Sequence, residues 1–308
     1  MYPGAKVYYD GSHYIAIPYE PKPKKRKIYK KVPPSDLFEL IRDKEKEISI
    51  EQRETEAKKA YDELSNLKGQ ERVDAAVEKL KEKCIPVEEA RALVEKEKER
   101  RQRRISEKKK RFYRKAFLNE FNYFVTFTYD DKKRTEESFK KGLIVKLCKL
   151  KKKYGWKYAG VWEESPNDRI HFHGLLYVPE GTMIGSIEKR RDFTVKLQRM
   201  HEYYVNTYFE KEFGRNEFSE LSQNPMAYEI AMKYILKYIS KTDAKFIYSR
   251  NLPMYLISDI NEDDELGRIG VDDRKIVLPD DFECWDEGEF LGNFNNDIKN
   301  KMRTSSHW

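Results

Sequence analysis

Apolar and polar positions alternate with two different periods through the middle of the chain. In FNYFVTFTYD (121–130), YAGVWEE (158–164) and RIHFHGLLYVP (169–179), aromatic and aliphatic residues recur at about every second position, which predicts three strands. The last two are separated only by the polar segment SPND (165–168), so they are expected to form a hairpin. TEESFKKGLIVKLCKLKKKYG (135–155) carries the helical period, with a capping-box start at Thr135 and with Phe139, Leu143, Val145, Leu147 and Leu150 available for burial. A further helix is expected at about 186–211, a strand at NEFSELS (216–222), a helix at AYEIAMKYILKYISK (227–241) and a last strand at KFIYS (245–249). The order β-α-β-β-α-β-α-β with a central hairpin predicts an α+β fold, an antiparallel sheet with helices on one face.

The flanks have a different pattern. HYIAIPY (13–19) alternates like a strand, and PKPKKRKIYKK (21–31) reads as a basic extended linker because its prolines forbid a regular helix. From Ser35, a candidate N-cap, sparse apolar positions such as Leu37, Leu40 and Ile41, then Ala92, Leu93 and Val94, run through a polar background to about residue 118. Interruptions near Gly69 and at 84–86 divide this stretch into two or three helices, a charged helical arm with partial burial. The expected divisions are therefore an N-terminal strand and linker (1–33), the arm (34–118), an α+β domain (119–253) and an acidic C-terminal tail (254–308).

Composition adds a partner. Charged residues make up 38% of the chain and the net charge is +8, but residues 251–308 hold 14 acidic and 6 basic residues, so the rest is strongly basic. Such a body suits a polyanion, most simply nucleic acid. The densest run, KERRQRRISEKKKRFYRK (98–115), has eleven Lys or Arg against two Glu; on a helix it is a solvated face or a phosphate-tracking one, with Arg103, Arg104, Lys109 and Arg111 as candidate DNA contacts. Cys84, Cys148 and Cys284 have no paired spacing, which fits packing residues in a reducing compartment and neither a disulfide framework nor a zinc knuckle. No stretch approaches the roughly 18 apolar residues of a membrane span, and no glycine-rich phosphate loop is present. A cytoplasmic protein without membrane association is expected.

The candidate chemistry lies on the strand 169–179. Arg169, His171, His173, Leu175 and Tyr177 share one face, while Ile170, Phe172, Leu176 and Val178 share the other. Two of only five histidines thus stand at i, i+2 on the face that the helices are expected to leave open. Across the hairpin, Glu163 or Glu164 could complete a site of two imidazoles and a carboxylate for Mg²⁺ or Mn²⁺. In the helix 227–241, Tyr234, Lys237, Tyr238 and Lys241 form Y-x-x-K-Y-x-x-K, which sets both tyrosines on one face and each beside its own lysine. A phenol becomes a useful nucleophile only with such help; packing on the sheet is the plainer alternative.

FVTFTYD (124–130), IHFHGLLY (170–177) and KYILKYISK (233–241), in this order and at these separations, resemble the three motifs of the HUH endonuclease replication initiators. The likeness is nearest to the rolling-circle replication proteins of small single-stranded DNA phages, of the microvirus and filamentous kind, and of related plasmids, and it covers about residues 119–253. It implies a palm-like sheet in which Glu163, His171 and His173 hold a divalent metal, Glu164 being the fallback. It also implies Tyr234 and Tyr238 as paired nucleophiles assisted by Lys237 and Lys241. Thr126 and Thr128 are candidates for seating DNA, with packing as the alternative. The implied activity is site-specific nicking of single-stranded DNA at an origin through a 5′-phosphotyrosine, with host helicase and polymerase as partners in a bacterial cytoplasm. A transposase or relaxase of the same superfamily, or a non-catalytic origin-binding protein, are the alternatives.

Overall fold

The computed structural model describes residues 1–19, 37–164, 169–194, 198–221, 225–242, 246–269 and 274–307. In chain order the elements are β1 (Tyr2–Tyr9), β2 (Tyr14–Pro18), α1 (Leu37–Glu63), α2 (Gly69–Lys81), α3 (Val87–Leu118), β3 (Tyr123–Thr128), α4 (Glu136–Tyr154), β4 (Lys157–Glu164) and β5 (Ile170–Tyr177). These are followed by β6 (Ile187–Thr194), β7 (Arg199–Asn206), α5 (Thr207–Glu212), β8 (Asn216–Glu220), α6 (Pro225–Thr242) and β9 (Phe246–Tyr248). The last elements are β10 (Tyr255–Ile260), β11 (Gly267–Ile269), β12 (Lys275–Leu278), β13 (Glu283–Asp286), β14 (Glu289–Asn293), α7 (Asn296–Lys301) and β15 (Arg303–Ser305). The described residues fall into two compact units, divided near residues 21 and 107. The expected basic linker, the Ser35 cap and the SPND turn lie outside the described residues.

Five antiparallel strands in the order β8-β3-β5-β4-β9 form the sheet predicted from the central alternation. Its Phe172 side is closed by α4. Thr135 caps that helix by accepting from the Ser138 N–H at 3.3 Å, and Gly155 ends it at φ 77°. Phe139, Leu143, Leu147 and Leu150 pack there with Val125, Phe127, Phe172 and Leu176; Val145, expected among them, is 44% exposed. The Phe172 ring lies across the paired Gly160 and Gly174, where an added Cβ would come within 2.4 and 2.5 Å of it. Only glycine leaves room for the ring at this crossing.

Helices occupy both faces of this sheet, not one as expected. The histidine face also carries Ala159, Val161 and Leu175, all fully buried, and α6 packs against β4. Burying Ala231, Met232, Ile235 and Leu236 of α6 requires an apolar surface, which those residues supply. The end of α3 lies on the same side, with Phe112 stacked on Phe246 at 4.6 Å. The helix expected at 186–211 is instead the hairpin β6–β7 followed by the short α5. There, eight directly opposed pairs satisfy the backbone where a helix would have exposed its apolar residues on every side.

The C-terminal residues do not form a tail. Strands β10–β15 join β1 and β2 in a second antiparallel sheet, ordered β11-β12-β2-β1-β10-β13-β14, with β15 paired to β10. Ala5, Val7, Leu256, Ile260, Ile276, Leu278, Phe282 and Cys284 make its core, while the acidic residues that suggested a tail alternate with them. The second unit is helical, as expected, but holds a core of its own: Ala57, Ala60, Tyr61, Val73, Ala76, Val77, Leu80, Ala90 and Val94 pack together. Glu54 of α1 pairs with Lys96 at 2.7 Å and Arg100 at 3.0 Å of α3.

Candidate active site

The register of β3, β5 and β4 assembles the site. Thr126 lies opposite His173 and Thr128 opposite His171, and Glu163 lies opposite His171 on the other side of β5. Directly opposed residues of antiparallel strands share a face, so all five side chains stand on the same side of the sheet. Thr126 Oγ1 is 3.0 Å from His173 Nδ1 and Thr128 Oγ1 is 2.7 Å from His171 Nδ1. Glu163 reaches diagonally, its Oε2 lying 2.6 Å from His173 Nε2. Glu164 opposes Ile170 and is therefore on the other face.

Helix α6 brings the phenol. The Tyr234 ring meets His173 edge-on, with centroids 5.0 Å apart, and also meets Phe124, which lies parallel to the imidazole, at 5.8 Å. Tyr234 is nevertheless 39% exposed. It is thus held by a ring cluster yet open to a polymer arriving from solvent.

Both imidazoles are kept from protonating. Burial is the main cause for His173, which is 4% exposed, and with the neighbouring His171 it lowers the pKa to about 3. His171 is also lowered, chiefly by burial; the Glu163 charge acts in the opposite direction, and Arg169 and Arg215 reinforce the shift. Neutral rings are what a cation requires of histidine.

Among the described residues, no group of three or more His, Cys, Asp or Glu stands as a ready metal cage; Glu163 bonds to His173 instead. The donor set still has the right chemistry. Each Nδ1 is held by a threonine, which assigns Nε2 of both rings, with the Glu163 carboxylate, to any cation that binds here.

The remaining expected residues are distributed more widely. Lys237 lines a shallow depression of about 270 Å³ with Lys109, Tyr113, Lys233 and Leu236. The side chains of Tyr238 and Lys241 lie outside the described residues. Arg111 is exposed near the end of α3. In the helical unit Arg103 is exposed, and Arg104 pairs at 2.9 Å with the buried carboxylate of Glu97, a structural tie where a DNA contact was expected. Phe124, Arg215 and Glu217 were not singled out by the sequence. Glu217 opposes Thr126 on β8 and the Arg215 carbonyl accepts from the Thr128 N–H at 2.8 Å, so both extend the rows that carry the histidines. Only the strand register reveals that.

Residues 122–243 match the model of a family described as replication-associated protein of the ORF2 kind. The match spans β3 through α6, less than half of the chain but every element that supplies a site residue. It supports a part in the initiation of replication and an interaction with DNA. No curated protein and no solved structure matches the chain. No helix among the described residues is long and apolar enough to cross a membrane.

Proposed function

We propose that this protein is a metal-dependent endonuclease of the HUH kind that nicks single-stranded DNA at an origin and so starts, and later ends, rolling-circle replication. The observation that carries the proposal is the placement of Tyr234 against His173, on the sheet face that also holds His171 and Glu163, within the segment matching a replication-associated family. His171, His173 and Glu163 would hold Mg²⁺ or Mn²⁺, and the ion would polarise the scissile phosphate and offset its developing charge.

The chain's own residues account for the rest. The Tyr234 oxygen attacks phosphorus, the 3′-oxygen leaves and takes up a proton, and the 5′-phosphate remains esterified to the phenol. The free 3′-hydroxyl then primes synthesis. Tyr238, one helical turn further on, would cut the regenerated origin, and the new 3′-hydroxyl would attack the first phosphotyrosine to close the circle. Lys237 and Lys241 would supply positive charge for phosphate beside the tyrosines, and Lys109 and Arg111 on α3 would extend it. Phe124 fixes the Tyr234 ring, and Thr126 and Thr128 fix the histidines.

The test is a covalent adduct. The protein is incubated with origin-containing single-stranded DNA and Mn²⁺ or Mg²⁺ and run on a denaturing gel. Adduct that depends on the metal is expected; DNA binding without adduct under any metal condition would leave an origin-binding protein in place of a nuclease.

A further inference from the structure

The ribbon β6–β7 stands in the open along most of its length. Phe193 and Met200 face each other across it at 51% and 49% exposure, and Tyr204 is 46% exposed. A two-stranded ribbon has too little core to hold such residues out of water by itself. One of its faces continues the catalytic face of the sheet. His201 Nε2 is 4.0 Å from Glu217 Oε1, and Glu217 opposes Thr126, the partner of His173. His201 and Tyr203, two apart on β7, hold their rings within 9° of parallel at 6.2 Å. The Arg215 guanidinium lies 5.3 Å from the Tyr203 ring centroid, and the Arg215 carbonyl is bonded to Thr128, whose hydroxyl holds His171.

We propose that His201, Tyr203 and Arg215 form a binding platform for the single-stranded DNA on one side of the scissile phosphate, with bases laid on the two rings and a backbone phosphate held by the guanidinium. The inference rests on the nuclease function proposed above and assigns it a substrate subsite. Lys189, Arg190 and Arg191 are engaged by Glu202, Glu188 and Glu210, so the cationic part is Arg215. Parallel, accessible rings beside a guanidinium suit an unstacked base and its phosphate. In a duplex the base faces are occupied by their neighbours, so the platform selects single strands. Continuity with the histidine face places the strand where the reaction would occur.

The experiment measures binding apart from chemistry. Fluorescence anisotropy with labelled oligothymidylate is compared for Tyr234→Phe alone and combined with Tyr203→Ala, Tyr203→Phe or Arg215→Gln. Tyr203→Ala should weaken binding by about fivefold or more, the loss of one stacked base, while Tyr203→Phe keeps the ring and the affinity. Arg215→Gln should weaken binding and lower the salt dependence, reducing the slope of log K against log salt by roughly 0.7. Affinity unchanged by Tyr203→Ala and Arg215→Gln would overturn the platform, as would equal affinity for duplex or a phenylalanine variant as weak as the alanine one. Nicking by the parent protein is scored separately: adduct without a ribbon effect removes only the platform, and a ribbon effect without adduct removes only the nuclease reaction. Thermal unfolding of each variant separates loss of fold from loss of contact.

Discussion

The Tyr234 ring stands perpendicular to the His173 imidazole, at 78° and 5.0 Å between centroids, while 39% of the tyrosine remains exposed. A residue present only for packing on this sheet would gain by being buried, as its neighbours Ala231, Met232 and Ile235 are. The arrangement keeps a phenol fixed and reachable at once, which is what a nucleophile toward a large substrate requires.

Tyr234→Phe should therefore separate chemistry from fold. Removing one partly exposed hydroxyl should change stability by no more than about 0.5 kcal/mol, yet adduct formation should fall by at least about a thousandfold if Tyr234 acts first. The double change with Tyr238→Phe should leave no adduct on a denaturing gel. Full activity in the single variant would transfer the first cut to Tyr238; adduct in the double variant would remove both from the mechanism.

The depressed basicity of His173 makes stability depend on pH. Its folded pKa of about 3 is below the ordinary 6.5, so the unfolded chain takes up a proton at a pH where the folded ring does not. The stabilisation is complete above pH 6.5 and is lost as the pH falls toward 3, by up to about 1.4 kcal/mol per pH unit. The window from about 6.5 to 5 lies above the carboxylate range, and the lowered His171 acts in the same sense. With chelator present, the thermal midpoint should drop between about pH 7 and 5, and His173→Gln should flatten the dependence. A flat wild-type curve would mean that the Glu163 carboxylate keeps the ring charged.

The site proved more legible in the sequence than the architecture around it. The i, i+2 spacing of His171 and His173, and a carboxylate eight residues upstream, were enough because a hairpin register follows from local sequence. Which of Glu163 and Glu164 faces the histidines depended on a turn whose register the letters left open. The second sheet was hidden for a physical reason: β1 and β10, its central pair, lie about 250 residues apart, and acidic residues on the outward positions of YLISDI and ECWD mask the apolar ones. Likewise IEKRRDFT and RMHEYYVN gave no clear period, because an exposed ribbon does not need a buried face.

The crossing of β4 and β5 should tolerate no side chain at Gly160. A Cβ there would lie 2.4 Å from the Phe172 ring, 2.6 Å from the His173 carbonyl oxygen and 2.9 Å from the Gly174 Cα. The ring could turn, but the backbone contacts cannot yield without moving the strands that oppose Glu163 and His171. Gly160→Ala should cost about 1–3 kcal/mol, as overpacked cores do, measured by denaturant unfolding, and any adduct formation should fall with it. A stability equal to wild type would show that the strands separate more easily than this packing implies.

Thr126→Val tests whether the threonine acts on the histidine or merely fills space. The substitution keeps the shape but removes the hydroxyl 3.0 Å from His173 Nδ1, leaving that nitrogen, on a ring 4% exposed, without its partner. A hydroxyl can serve the ring in either tautomer. It donates to Nδ1 when Nε2–H faces Glu163, and it accepts from Nδ1–H when Nε2 is given to a cation. Valine can do neither. Loss of stability should be about 1–3 kcal/mol, and Mn²⁺ affinity by isothermal titration should fall about 10- to 100-fold, with Thr126→Ser restoring most of both. If valine binds the ion as tightly as threonine does, Thr126 has only a packing role, and His173 is held by Glu163 and the rings of Phe124 and Tyr234 alone.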